Sequence, residues 1–515
     1  MRVEQFLKDS ARRFGDKVAL VAGGARLTYR DLDRASDRLA GALTARGIAR
    51  GDRVVIFMDN CREAVIAIFA ALKAGAVFSP INPSTKADKL AYVINNCRAR
   101  ALITQDKLRA AANAALAEAP SIALVLVAGA GEPTVRGAVS FEAALAADQP
   151  PPSNPGIDRD LAMLVYTSGS TGFPKGVMMT HGNVVAAATS ITTYLENTPD
   201  DVILNVLPIS FDYGLYQVLM AAQVGATLVL EQSFAFPQAI LAKMQAERVT
   251  GLPLVPTMAA MILQMRDLTP GAFPHLRYIT NTAAALPPAH ITRLQELFPA
   301  TRLYSMYGLT ECKRCTYLPP EELAGRPGSV GIAIPGTEAY VVDADGERAA
   351  AGETGELVIR GAHVMQGYWE NPEATARALR PGPYPWEKVL CTGDLFRADA
   401  DGFLYFVGRK DDIIKTRGEK VSPKEVENAL YGLPGIREAA VVGVPDPILG
   451  FAIKAVVAAD PGANLTAHDV IRHCARHLED FMVPKMVEFR DALPKTESGK
   501  ISRREVAAQT LEPAA

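Results

Sequence analysis

The stretch VYTSGSTGFPKG, Val165 to Gly176, decides how the chain is read. It sets an unbroken run of Ser, Thr and Gly, from Thr167 to Gly172, directly after the apolar segment LAMLV, and follows it with Pro174 and Lys175. Such a loop exposes backbone N–H groups and hydroxyls, and the lysine beyond it adds a positive charge. Together these suit a polyphosphate, where the plain alternative is a flexible linker. A Walker loop needs Gly-Lys-Ser/Thr opening a helix. Here Lys175 precedes Gly176 and the strand-like VMMT follows, so this is a different phosphate loop.

On either side of that loop, apolar runs alternate with helical spacing. RVVIFM, AVFSPI and ARALIT read as strands before it, and DVILNVLPI, ATLVLE and LRYIT after it, with helical segments such as REAVIAIFAALKAG and KADKLAYVINN between. This alternation predicts mostly parallel sheets covered by helices. Nearer the N-terminus, Thr28 with Asp31 three residues on predicts a capped helix that ends near Gly47. From about Gly325 the texture changes to short strands with Asp-Gly turns, which predicts antiparallel hairpins. After Arg409 comes the charged stretch KDDIIKTRGEKVSP and then a compact β and α pattern. The expected class is α/β. A large domain over 1–408 combines layered parallel sheets with a small antiparallel β part, and a small mobile α+β domain spans 409–515, with a hinge at 409–411.

With 515 residues, 49% hydrophobic and 21% charged, and a formal net charge of −2, the chain has ample core and no polyanion-binding excess, so nucleic acid is not expected as a partner. MRVEQFLKDSARRFGDK lacks the apolar core of a signal peptide, and AVIAIFAALKAGAVFSPI is interrupted by Lys73, Gly75 and Pro80, so a cytoplasmic chain without a membrane span is expected. The six cysteines are scattered and read as reduced thiols. Cys312 and Cys315 form a lone CxxC, without a second ligand pair.

YTSGSTGFPKG resembles the signature of the adenylate-forming superfamily of acyl-CoA synthetases, adenylation domains and luciferases. Further motifs follow in that family's order: YSMYGLTEC at Tyr304–Cys312, TGD at Thr392–Asp394, GRKDDIIKTRGEKVSPKEVE from Gly408 and PKTESGKISR from Pro494. The resemblance implies conversion of a carboxylate to an acyl-adenylate, with ATP as donor, and then to a thioester. It implies that Thr167, Ser168, Gly169, Ser170, Thr171, Gly172 and Lys175 hold the β- and γ-phosphates, and that Thr310 and Glu311 sit near the α-phosphate with Glu311 a Mg²⁺ ligand. Mg²⁺ suits such oxygen ligands and substrate phosphates. Tyr307 is similar to the adenine-stacking tyrosine, Asp394 to the carboxylate that accepts the ribose hydroxyls, and Arg409 to a nucleotide contact. Lys500 resembles the adenylation lysine. The small domain would then turn about Asp411 and bring Lys415 and Gly418 to the thiol tunnel. TNTAAALP, from Thr280, departs from the glycine-rich segment of many relatives.

Asp212, in ISFDYGLYQ, stands where amino-acid-activating members carry an aspartate for the substrate ammonium; the alternative is a protein donor. Tyr213, Tyr216, Ile279, Asn281 and Met306 are candidate acyl-pocket residues. Arg314 facing that pocket would favour a second carboxylate on the substrate, though Lys313 and Arg314 read equally as surface charges. The thiol is that of coenzyme A, or the phosphopantetheine of an acyl carrier protein acting in trans; in the latter case a stand-alone amino-acid-adenylating enzyme is the alternative. A luciferase-like oxygenase and a nucleotide sensor are the remaining readings. The segment around Cys61 and YGLTECKR also resembles bacterial ligases associated with exosortase systems. Oligomeric state is not legible.

Overall fold

The structure is a computed structural model that describes residues 1–129, 131–147, 149–153, 156–167, 174–265, 268–282, 286–410, 412–416, 419–446, 449–496 and 499–511, and only the backbone of 415, 419, 420, 450 and 511. The alternating apolar runs form two layered sheets. In one, Val18–Ala22, Thr227–Leu230, Val202–Asn205, Gly251–Leu254, Tyr278–Asn281 and Arg302–Tyr307 run parallel, and the short strands at its edges are antiparallel. In the other, Ala101–Gln105, Arg53–Phe57, Val77–Ile81 and Leu161–Thr167 are parallel, and Lys175–Thr180 returns antiparallel. These strands are apolar at nearly every position because helices cover both faces. Arg62–Lys73, buried along almost its whole length, lies among them.

The capped helix starts as expected. Thr28 accepts from the Asp31 backbone and Asp31 reaches back to Thr28, so Tyr29–Ala45 opens on a capping box. A third, antiparallel sheet holds Thr337–Val342, Thr354–Gly361, Lys388–Ala398 and Leu404–Arg409, as the Asp-Gly turns required. The fourth sheet contains Ile414–Thr416, Glu419–Val421, Ile436–Asp446, Gly450–Ala459 and Met486–Phe489. It packs on its own apolar cluster, which includes Val421, Val426, Leu430, Val441 and Val457. Arg503 ties these last elements together, bonding Glu427 through Nε and Nη2 and Asp412 through Nη1. Among the described residues no helix is long and apolar enough to cross a membrane.

Candidate active site

The opening motif is a hairpin. Thr167 and Lys175 are register partners at the end of the antiparallel pair Leu161–Thr167 and Lys175–Thr180, which separates this loop from a strand-to-helix Walker loop. Ser168, Gly169, Ser170, Thr171 and Gly172 lie outside the described residues. The Lys175 ammonium lies 5.1 Å from the ring centroid of Tyr368, within cation–π range. Tyr368 in turn donates its hydroxyl to Glu311 Oε1 at 2.7 Å. Sequence reading missed this tyrosine. It sits on the two-residue strand Gly367–Tyr368, whose pairing with Val177 and Met178 no motif announces.

Thr310 and Glu311 stand on a tight loop after the strand Arg302–Tyr307. Gly308 makes that loop possible: a Cβ there would lie 1.8 Å from the Lys313 carbonyl oxygen. Cys312 and Lys313 both donate their N–H to the Leu309 carbonyl, and Cys315 returns to the Tyr307 carbonyl. Lys313 takes φ +66°, a left-handed conformation that non-glycine residues seldom adopt, and its ammonium donates to the Thr310 carbonyl at 2.8 Å. The Glu311 carbonyl accepts from the Met365 N–H. The Glu311 carboxylate thus offers Oε2 beyond the oxygen that Tyr368 engages. One such hard oxygen ligand, completed by substrate phosphates and water, fits Mg²⁺.

Asp394 is 3% exposed on Lys388–Ala398, opposite Arg409 in register. Its Oδ1 lies 3.2 Å from Arg409 Nε, and its Oδ2 accepts from Tyr307 at 2.6 Å. Burial pushes the Asp394 carboxyl above the usual carboxylate range against the pull of Arg409 and Tyr307; Glu311 and Lys500 also act on it. The Tyr307 ring packs edge-on against Phe396 at 4.8 Å.

Lys500 projects from a turn closed by Thr496 N–H to Lys500 C=O and Gly499 N–H to Thr496 C=O. The turn abuts Thr257, whose Oγ1 would lie 3.6 Å from a Cβ at Gly499. Burial pushes the Lys500 ammonium below the usual lysine range; Asp212 and Asp394 oppose that fall, while Arg409 adds to it. Residues far apart in the chain therefore converge here. Of the thiol-tunnel candidates, the Lys415 backbone lies on Ile414–Thr416, and Asp411 and Gly418 fall outside the described residues.

Asp212 is buried and has a protein partner: its Oδ2 lies 3.8 Å from Arg314 Nη1. Arg314 and Lys313 are each 1% exposed, which removes their reading as surface charges. The Arg314 guanidinium sits 4.3 Å from the Tyr213 ring centroid. The remaining pocket candidates divide across the sheet. Tyr213 bonds Thr280 through Oγ1 and C=O at 2.7 Å, and Thr280 is in register with Tyr304, so Met306, two residues on, shares that face. Met306 Sδ accepts from Tyr194 at 2.9 Å. By the same alternation Ile279 and Asn281 point to the opposite face, with Tyr307. Cys312 and Cys315 are buried free thiols, and no cluster of at least three potential metal ligands occurs among the described residues.

This arrangement brings carboxylates, cations and a packed tyrosine near one another, as activation of an acid by a nucleotide requires. The AMP-binding enzyme model matches residues 7–369, and the model of its C-terminal domain matches 425–500. The chain belongs to the AMP-binding enzyme family. It is 36% identical over 499 residues to a feruloyl-CoA synthase of an Amycolatopsis species, covering 96% of each chain. It is 32% identical over 514 residues to an oxalate–CoA ligase of Arabidopsis thaliana, covering 98% of each. Its fold superposes on ATP-bound MatB from Rhodopseudomonas palustris with a TM-score of 0.88, 30% identity and 99% of both chains covered. The family member described here is an ATP-dependent, AMP-forming acyl-CoA ligase, and its layered α/β architecture is that of the adenylate-forming superfamily.

Proposed function

We propose that the two half-reactions are divided among these residues as follows. A carboxylate oxygen of the acid attacks the α-phosphorus of ATP, and the bond to pyrophosphate breaks to leave acyl-AMP. A thiol sulfur then attacks the acyl carbon, loses its proton, and AMP departs. Lys500 draws the acid carboxylate and the α-phosphate together, two anions that repel in water. Asp394 accepts the ribose hydroxyls, Tyr307 packs against the adenine, and Arg409 offsets the charge between them. Lys175 and the hydroxyls from Thr167 to Thr171 bear the β- and γ-phosphates. Glu311 would hold Mg²⁺, which neutralises phosphate charge when bound.

The observation that supports this assignment is that Asp212, Arg409 and Asp394 all act electrostatically on Lys500, with 288 positions of sequence separating Asp212 from Lys500, while Arg409 pairs with Asp394 at 3.2 Å. The division at 408/409 belongs to the same proposal: the last sheet has its own core, so it can turn as a unit and exchange Lys500 for Lys415 at the site. The acceptor proposed is coenzyme A, with a carrier-protein pantetheine as the alternative. The Asp212–Arg314 pair favours the acyl-CoA reading over a dedicated ammonium site. Pyrophosphate release from ATP, Mg²⁺ and an acid panel without thiol, followed by AMP release on adding coenzyme A, tests it. Pyrophosphate release that requires the thiol from the outset would reject the order of steps.

A further inference from the structure

Resting on that ligase reading, the geometry points to Arg314 as the residue that selects the acid, binding a second carboxylate on the substrate of this chain. The guanidinium lies on the Tyr213 ring and meets Asp212 only at 3.8 Å, beyond hydrogen-bond length. Among the described residues its Nε–H has no hydrogen-bond partner and is fully enclosed; the Tyr216 hydroxyl is likewise enclosed and unpartnered among them. Two polar groups in this state, on elements packed against each other, are rare in a folded interior and costly unless a ligand completes them. A carboxylate supplies acceptors for both, and a guanidinium edge matches it in shape.

Among the described residues the Arg314 guanidinium has one carboxylate in ion-pair range, Asp212, and keeps N–H donors for a second. Asp212 also acts on Lys500 more strongly than any other charge does. Asp212 thus links Arg314 to the acid end of the site, and the substrate class is a dicarboxylic acid.

The test measures pyrophosphate release for acids matched in length, with and without the second carboxylate: succinate against butyrate, and glutamate against norvaline. In wild type we expect kcat/KM for the dicarboxylate to exceed that for its partner by about 100-fold or more, because a built polar site rejects a ligand that leaves it unpaired. Arg314→Met should collapse the ratio. Since that change strands Asp212, the double variant Arg314→Met/Asp212→Asn, which removes both charges, should give the same collapse in a folded protein. Tyr216→Phe should weaken the dicarboxylate selectively. If the monoacids are used as well as the dicarboxylates, or the ratio survives in the double variant, the assignment is overturned while the ligase reading stands. If none of these four acids releases pyrophosphate while an aryl or fatty acid of the wider panel does, the assignment is overturned and the ligase reading stands; if no acid of the wider panel does either, the ligase reading falls with it.

Discussion

Tyr307 donates its hydroxyl hydrogen to Asp394 Oδ2 at 2.6 Å, joining the residue expected to face the adenine to the one expected to face the ribose. Burial raises the Asp394 carboxyl above the ordinary value, and the Tyr307 bond partly counters this by favouring the charged form. As pH falls, Asp394 takes up its proton earlier than a free carboxylate at about 3.9 would, and loses acceptor capacity. KM for ATP should therefore rise on the acid side through an apparent pKa above that value. Tyr307→Phe removes the bond and should move the limb to still higher pH. A limb that stays put in the variant would separate Tyr307 from nucleotide binding.

Lys500→Ala should lower the rate of adenylate formation by about 10²–10³, as loss of one preorganised charge-stabilising group does. The thioester half-reaction, started from synthetic acyl-adenylate and coenzyme A, should proceed at nearly the wild-type rate. Single-turnover measurement of each half-reaction checks this. Equal losses in both would remove Lys500 from its proposed role.

The lowered Lys500 ammonium predicts an alkaline limb in the same step. Its charge is present below its shifted pKa and lost as pH rises through it, at a pH below the value of about 10.4 for a free lysine. Asp212 holds that pKa up. In Asp212→Asn the limb should shift to lower pH, and in Asp394→Asn likewise, though by less. An alkaline limb unchanged in both would show that a different group titrates.

Glu311→Gln keeps an acceptor for Tyr368 but removes the negative charge that would attract a divalent cation. The Mg²⁺ concentration for half-maximal adenylation should rise about tenfold or more, on the scale of lost metal-site interactions, with the thermal midpoint preserved. Tyr368→Phe frees Glu311 Oε1 and should shift the same Mg²⁺ dependence to a smaller degree. Titration of activity with Mg²⁺ at saturating ATP distinguishes the two.

Gly308→Ala places a methyl group 1.8 Å from the Lys313 carbonyl oxygen, which backbone alone can relieve. The loop that carries Thr310 and Glu311 should open. We expect a stability loss of about 1–3 kcal/mol, the usual scale of overpacking, together with loss of adenylation. Thermal unfolding and pyrophosphate release measured on one preparation check both effects.

The sequence by itself determined the layered α/β architecture, the capping box at Thr28, the hairpins after Gly325 and the family. These follow from local periodicity, turn chemistry and motifs that act through neighbouring residues. Lys313 and Arg314 show what it left open. Beside Glu311 they read equally as solvated cations, because nothing local reveals that a left-handed Lys313 turns Arg314 inward onto Tyr213 and Asp212, about a hundred residues earlier in sequence. Tyr368 was missed for the same reason, since its bond to Glu311 spans two sheets. The split of Ile279 and Asn281 from Met306 needed the register of adjacent parallel strands, which no single strand encodes. Tertiary structure decided these because burial and pairing over long separations set a charged side chain's environment. The sequence specifies that environment only through the completed fold.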